Sequence, residues 1–241
     1  MHRKVLIDWF TSAKGQILQK QEAEYLTRSI TASCKQVILQ IGALGWENQF
    51  IDCSLYKRFY VLDDEQDSWH ESKLLRAENI ALPLQSDSVD MLILPHVLEF
   101  DSNKHQVLRE VERILKPEGK LIILGFNPWN IYINLQYLWH KEKGAPWLPS
   151  LVSRTKIEDW LRLLNFEVEL AAGFDFDATR TSSEYAEQRK NEIRVAAYAI
   201  KAIKRRYHLI PLTPVKNFQS KLAMARVIDM PYTEKEYDKN S

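Results

Sequence analysis

The sequence predicts an α/β fold, doubly wound, with helices on both faces of a mostly parallel sheet, and three observations carry that reading. The runs Met91-Leu92-Ile93-Leu94-Pro95 and Leu121-Ile122-Ile123-Leu124-Gly125-Phe126 show no polar alternation, so each is a strand buried on both faces, as in parallel sheets. Between them Val107, Leu108, Val111, Ile114 and Leu115 recur at helical spacing, with Asp101 and Ser102 as cap candidates and Pro117-Glu118-Gly119 as the stop. Strand, helix and strand in that order form a right-handed crossover. Ligands of such sheets bind outside the carboxyl ends of the strands, which makes Pro95-His96 and Phe126-Asn127-Pro128 site candidates by position.

The remaining elements follow in order. Residues 11–33 form an amphipathic helix whose stripe is Ile17, Leu18, Tyr25, Leu26 and Ile30, with lysines, glutamines and glutamates elsewhere, and it covers the first strands. Val37 to Ile41 is a short apolar strand that turns at Gly42-Ala43-Leu44-Gly45. Phe59 to Leu62 is the next strand and ends on Asp63-Asp64. After a polar segment, Glu78 to Leu82 leads into the turn Leu82-Pro83-Leu84. Residues 127–150 break the alternation with Trp129, Tyr132, Tyr137, Trp139, Trp147 and three prolines, the composition of an aromatic cap. Ser153 or Thr155 caps a helix through Leu164 that buries Ile157, Trp160, Leu161 and Leu164 and stops at Asn165. Phe166 to Ala171 and Val195 to Ile203 are strands of an antiparallel edge, joined by the polar segment Asp175 to Arg194.

At 241 residues, 45% hydrophobic and 27% charged, the chain suits one α/β domain with short extensions. We expect a helical cover over residues 1–34, the α/β domain over 35–205 with its insert at 127–150, and an extension over 206–241. In residues 201–241 nine Lys or Arg stand against four Asp or Glu, a mild basic excess of the kind a solvated face carries. A net charge of +1 gives no footprint for nucleic acid or an anionic membrane, so neither partner is expected. Cys34 and Cys53 lack metal-type spacing and are too few for a disulfide framework; no metal is expected, and a reducing cytoplasm suits them. No signal peptide or membrane span is expected either, because no apolar run is long enough.

The order and spacing of four segments carry more. Leu82-Pro83-Leu84, Ser88-Val89-Asp90, His96-Val97-Leu98-Glu99 and Leu115-Lys116-Pro117-Glu118-Gly119 together resemble the class I S-adenosylmethionine-dependent methyltransferases, in the large branch that reads LPF, S-x-D, H-x-L-E, L-x-P-G-G. The resemblance covers about residues 35–130. It implies a Rossmann-like, seven-stranded sheet, S-adenosylmethionine as cofactor, and methyl transfer to an acceptor that we expect to be a small molecule. It also implies roles for single residues. The family's first loop, acid-x-Gly-x-Gly-x-Gly, aligns with Gln40-Ile41-Gly42-Ala43-Leu44-Gly45-Trp46, which keeps Gly42, adds Gly45 off the regular spacing and replaces the acid with Gln40. A carboxamide can still accept from the cofactor's ammonium group, without the charge attraction of an acid.

Asp63 stands where the family places its ribose-binding carboxylate, and Glu78, with Asn79 as helper, where it meets the adenine amino group. Alternatively these are solvated surface acids, and the two glycines an ordinary turn. His96 closes the fourth strand, as a contact to cofactor or substrate, or as a base, since its ordinary pKa lies near neutrality; it can equally be structural. Glu99 braces it or leads toward the next helix. Asn127-Pro128-Trp129 echoes the Asn-Pro-Pro-aromatic motif of amino-group methyltransferases but follows the fifth strand instead of the fourth, so Asn127 and Trp129 become the root of a substrate-facing cap, or of a small satellite core.

Two other readings compete. Tyr137 and Lys141 match the Tyr-x-x-x-Lys pair of short-chain dehydrogenases, yet the dinucleotide fingerprint is missing from Gln40 to Trp46. A methyltransferase-fold module that binds or regulates without catalysis is permitted by the altered first loop.

Overall fold

The chain starts with two helices where the periodicity predicts one. α1 (Lys4–Phe10) and α2 (Ala13–Ser29) are separated by Thr11 and Ser12, and the Ser12 hydroxyl caps α2 by accepting from the Gly15 amide at 3.1 Å. The corner is tight, for a Cβ on Gly15 would stand 2.4 Å from the Trp9 carbonyl oxygen. In this computed structural model the described residues are 4–52, 54–63, 73–133, 150–177, 183–184 and 194–206, all within the unit that ends at Arg206.

The strands are β1 (Ile38–Ile41), β2 (Phe59–Asp63), β3 (Lys73–Arg76), β4 (Val89–Pro95), β5 (Leu115–Phe126), β6 (Phe166–Phe174), β7 (Ser183–Glu184) and β8 (Ala197–Lys204). They form one sheet in the order β3-β2-β1-β4-β5-β8-β6-β7. The five strands up to β5 pair in parallel; β8 runs antiparallel to both β5 and β6. The expected seven-stranded, mostly parallel sheet with an antiparallel edge is present, widened by the two-residue β7. β3 lies upstream of Glu78 to Leu82, so that segment follows the third strand.

Alternation along the strands sorts the core into two layers. Ile38, Met91, Ile93, Ile122, Leu124 and Phe126 face α1 and α2. Leu39, Leu92, Leu94, Leu121 and Ile123 face α3 (Lys104–Ile114) and α4 (Arg154–Leu163) on the other side. Helices cover both faces, the reason the strands read as unbroken apolar runs.

Local chemistry explains the motif segments. Asp90 accepts from the Val37 amide at 2.8 Å through one oxygen and from Lys116 Nζ at 2.7 Å through the other, binding the starts of β1 and β5 to β4. Arg113 donates to the carbonyls of Leu82 and Leu84, and Glu110 accepts from the Leu82 amide, so α3 clamps the Leu-Pro-Leu turn. These residues build the scaffold away from the strand tips. Two boundaries differ from expectation. α3 is preceded by Asn103, with no side-chain cap, because Asp101 instead accepts from the Asn103 amide just outside the helix. Pro117-Glu118-Gly119 lies inside β5 as an irregularity with Glu118 at φ 61°, since the strand begins directly after Ile114. The α4 stop matches: Asn165 takes a left-handed φ of 62°. Most of the aromatic insert, the Tyr137 and Lys141 pair, Cys53, most of the linker Asp175 to Arg194, and the extension beyond Arg206 lie outside the described residues. Among the described residues no helix is long and apolar enough to cross a membrane.

Candidate functional site

β1 and β2 end side by side, and the first loop folds over that edge with the Gly42 amide donating to the Leu62 carbonyl at 2.6 Å. Gly42 and Gly45 have φ of 86° and 87°, a left-handed backbone that explains glycine at both positions. Gln40, fully buried, donates from Nε2 to the Gly42 carbonyl at 2.9 Å and to Glu47 Oε1 at 2.8 Å. A carbonyl and a carboxylate can only accept, which fixes the amide orientation and leaves Gln40 Oε1 a buried acceptor without a partner among the described residues. Glu47 begins a short 3-10 turn (Glu47–Gln49), and its carboxylate also accepts from the amides of Leu44 at 2.7 Å and Gly45 at 3.1 Å. Asp63, buried at the tip of β2, accepts from the Ala43 amide at 2.8 Å. Gln40, Gly42, Gly45 and Asp63 therefore belong to one hydrogen-bonded unit. Glu78 and Asn79 stand apart from it: Glu78 is exposed, and Asn79 meets Asp101 at 3.4 Å.

His96 closes β4 in a left-handed conformation, φ 51°, and is completely buried. Its Nε2 lies 3.1 Å and 3.3 Å from the two oxygens of Glu22 on α2, and its Nδ1 3.5 Å from Glu99. Burial pushes the imidazole pKa down, but the charges and hydrogen bonds of Glu22 and then Glu99 outweigh it, and the value is raised to about 9. The ring is thus an imidazolium at neutral pH. Glu99 also accepts from the Phe126 amide at 2.8 Å, joining the tips of β4 and β5. Around this group lies an aromatic wall: Phe126 at 4.2 Å and Phe10 at 5.7 Å from the imidazole, with Trp46 5.8 Å from Phe10, ring centre to ring centre. Leu44 and Trp46 bury their side chains in the same layer.

Asn127, buried after β5, donates to the Val195 carbonyl at 2.9 Å and accepts from the Trp129 amide at 3.1 Å. Asn130 repeats the device on the Arg194 carbonyl at 3.0 Å. Both side chains tie the segment before β8 to the end of β5, whereas Trp129 is 64% exposed. Glu22, Glu47, Asn130 and Phe10 were not singled out from the sequence. Glu22 had a visible signal, an acid on the apolar stripe four residues after Leu18; the expectation that glutamines and glutamates lie off that stripe is corrected by Gln21 and Glu22, both buried. Glu47 had another, an acid just beyond a loop that lacks its own.

Residues 44–123 match the methyltransferase domain family. The chain is 35% identical over 100 residues to the uncharacterized protein YafS of Escherichia coli, a match covering 42% of each chain. It is 31% identical over 83 residues to the ubiquinone/menaquinone biosynthesis C-methyltransferase UbiE of Hahella chejuensis, covering 34% of this chain and 33% of that one. The chain thus spans less than half the length of these two relatives. A crystal structure of a methyltransferase dependent on S-adenosylmethionine, from Thermotoga maritima, superposes with a TM-score of 0.61 at 18% identity, covering 82% of this chain and 93% of that one. The residues present fit the cofactor S-adenosylmethionine: a glycine turn, a strand-tip carboxylate at Asp63 and the Gln40 carbonyl, which has no partner among the described residues, stand at adjoining strand ends. The matched segment is that of a methyltransferase domain, and the strand order and the superposition show that the chain shares the fold of that methyltransferase structure.

Proposed function

We propose that this chain transfers a methyl group from S-adenosylmethionine to a small-molecule acceptor in the cytoplasm. The observation that carries the reading is the single unit formed by Gln40, Gly42, Gly45 and Asp63 over the tips of β1 and β2. Asp63 offers a carboxylate to two ribose hydroxyls, and the two glycines let the backbone come close. S-adenosylmethionine supplies an already activated sulfonium methyl when bound, so positioning is most of the catalysis required. His96, its pKa raised to about 9, is already protonated at neutral pH, and through Glu22 it holds α2 against the tip of β4. In this reading Asn127 fixes the root of the cap and Trp129 presents an open ring to the acceptor, while Glu78 and Asn79 serve the adenine end. An exposed free thiol at Cys34 accords with a reducing compartment.

Transfer of tritium-labelled methyl into a fractionated metabolite extract tests the reading. Counts in a small-molecule fraction, lost in Asp63→Ala, are the expected result; label only in protein or nucleic acid would overturn the choice of acceptor. One observation favours the reading as a binding or regulatory module: His96 and Phe126 are sealed beneath α1 and α2. That module would bind S-adenosylhomocysteine in calorimetry and transfer no label to any fraction.

A further inference from the structure

We propose that Glu47 stands in for the acid missing from the first motif. Its carboxylate holds the glycine turn and orients Gln40 so that the Gln40 carbonyl receives the cofactor's ammonium group. The inference rests on the cofactor reading above and adds a positioning residue to it. Three donors converge on one buried carboxylate: Gln40 Nε2 at 2.8 Å, the Leu44 amide at 2.7 Å and the Gly45 amide at 3.1 Å. Remove that charge and the turn loses the acceptor for two adjacent amides, one of them on a glycine with a left-handed φ of 87°. Gln40 then loses one of the two acceptors that settle which end of its amide points where. With Glu47 in place, Gln40 is a fully buried amide whose Oε1 has no partner among the described residues. A buried acceptor left open costs stability unless something fills it, and an ammonium group is a donor of the right charge. The negative charge near the turn is therefore kept, moved from the strand tip to the residue that ends the loop.

Calorimetry of the full chain with two probes tests this: S-adenosylhomocysteine, which carries the amino-acid tail, and methylthioadenosine, which lacks it. The parent protein should prefer S-adenosylhomocysteine. Gln40→Met, which leaves the bonds of Glu47 to Leu44 and Gly45 in place, should lose that preference by about tenfold to a hundredfold and bind methylthioadenosine unchanged. Glu47→Gln should lose the preference as well. Gln40→Glu/Glu47→Gln, which returns the acid to the motif position, should recover most of it; a merely structural Glu47 predicts no such rescue. Glu47→Gln that keeps the parent's preference overturns the inference and leaves the cofactor reading standing. A parent protein that binds neither probe overturns both. Should Glu47→Gln fail to fold, the double variant decides alone: preference regained supports the exchange of roles, and folded protein without preference refutes it.

Discussion

His96 sits fully buried between two carboxylates, an arrangement that couples one proton to the stability of the fold. Its pKa is raised from 6.5 in the unfolded chain to about 9 in the fold, so its contribution is complete below the first value and disappears as pH rises through the second. Urea unfolding between about pH 6 and about pH 9.5 should show the parent losing stability on the alkaline side, and His96→Gln should flatten that part of the profile. A variant with the parent's full alkaline decline would refute the coupling. At pH 7, Glu22→Ala should cost about 3 kcal/mol, because it leaves the imidazolium buried beside Glu99 alone. Neither effect is legible in the sequence. Glu22 and His96 lie 74 residues apart, and only the packing of α2 over the tip of β4 brings them together. Glu47 was nearer to legibility, seven residues from Gln40, but its role depends on the loop curling back on itself.

Elements show the same division between what pattern reveals and what contact decides. β4, α3 and β5 were readable since every inward position is apolar and the spacing changes cleanly from strand to helix. β3 was not: Lys73-Leu74-Leu75-Arg76 is too short and too charged to stand out, and it is a strand through its parallel register with β2. The division of the first helix was hidden too, because the break is only Thr11 and Ser12. Gly15 makes that break possible, and Gly15→Ala would set a Cβ 2.4 Å from the Trp9 oxygen and 2.6 Å from Phe10 Cα. Backbone cannot yield as a side chain does, so α1 must swing outward. Hydrogen exchange should speed up across Lys4–Phe10 with β4 and β5 unchanged; equal protection in the variant would show that the corner tolerates the methyl. Gly125→Ala tests the sheet itself. Its Cβ would meet the Tyr198 hydroxyl at 2.6 Å, and Tyr198 is buried and pinned to the Val152 carbonyl at 2.7 Å. Overpacking of this kind should cost about 1–3 kcal/mol in urea unfolding, with a smaller loss indicating that the Tyr198 ring can shift.

Across the whole molecule, the sheet is a scaffold whose motif residues mostly serve the fold. Asp90 and the Leu-Pro-Leu turn lie with the starts of strands and the flank of α3, so a match to their pattern reports architecture more than chemistry. In the proposed reading the chemistry belongs to the tips of β1, β2, β4 and β5, where Gln40, Asp63, His96 and Glu99 meet the loops. Such a site, once filled, should stabilise the entire cooperative unit by mass action. S-adenosylhomocysteine at about one hundred times its dissociation constant adds about 2.7 kcal/mol, which in a domain of this size raises the melting temperature by about 5–10 °C. Asp63→Ala should weaken binding, so at the same ligand concentration most of that rise should vanish. A nicotinamide dinucleotide should leave the parent's melting temperature where it is, because the strand-tip loop lacks the glycine spacing a pyrophosphate requires. Stabilisation by the dinucleotide alone would remove the methyl donor from this site and leave the fold as the surviving conclusion.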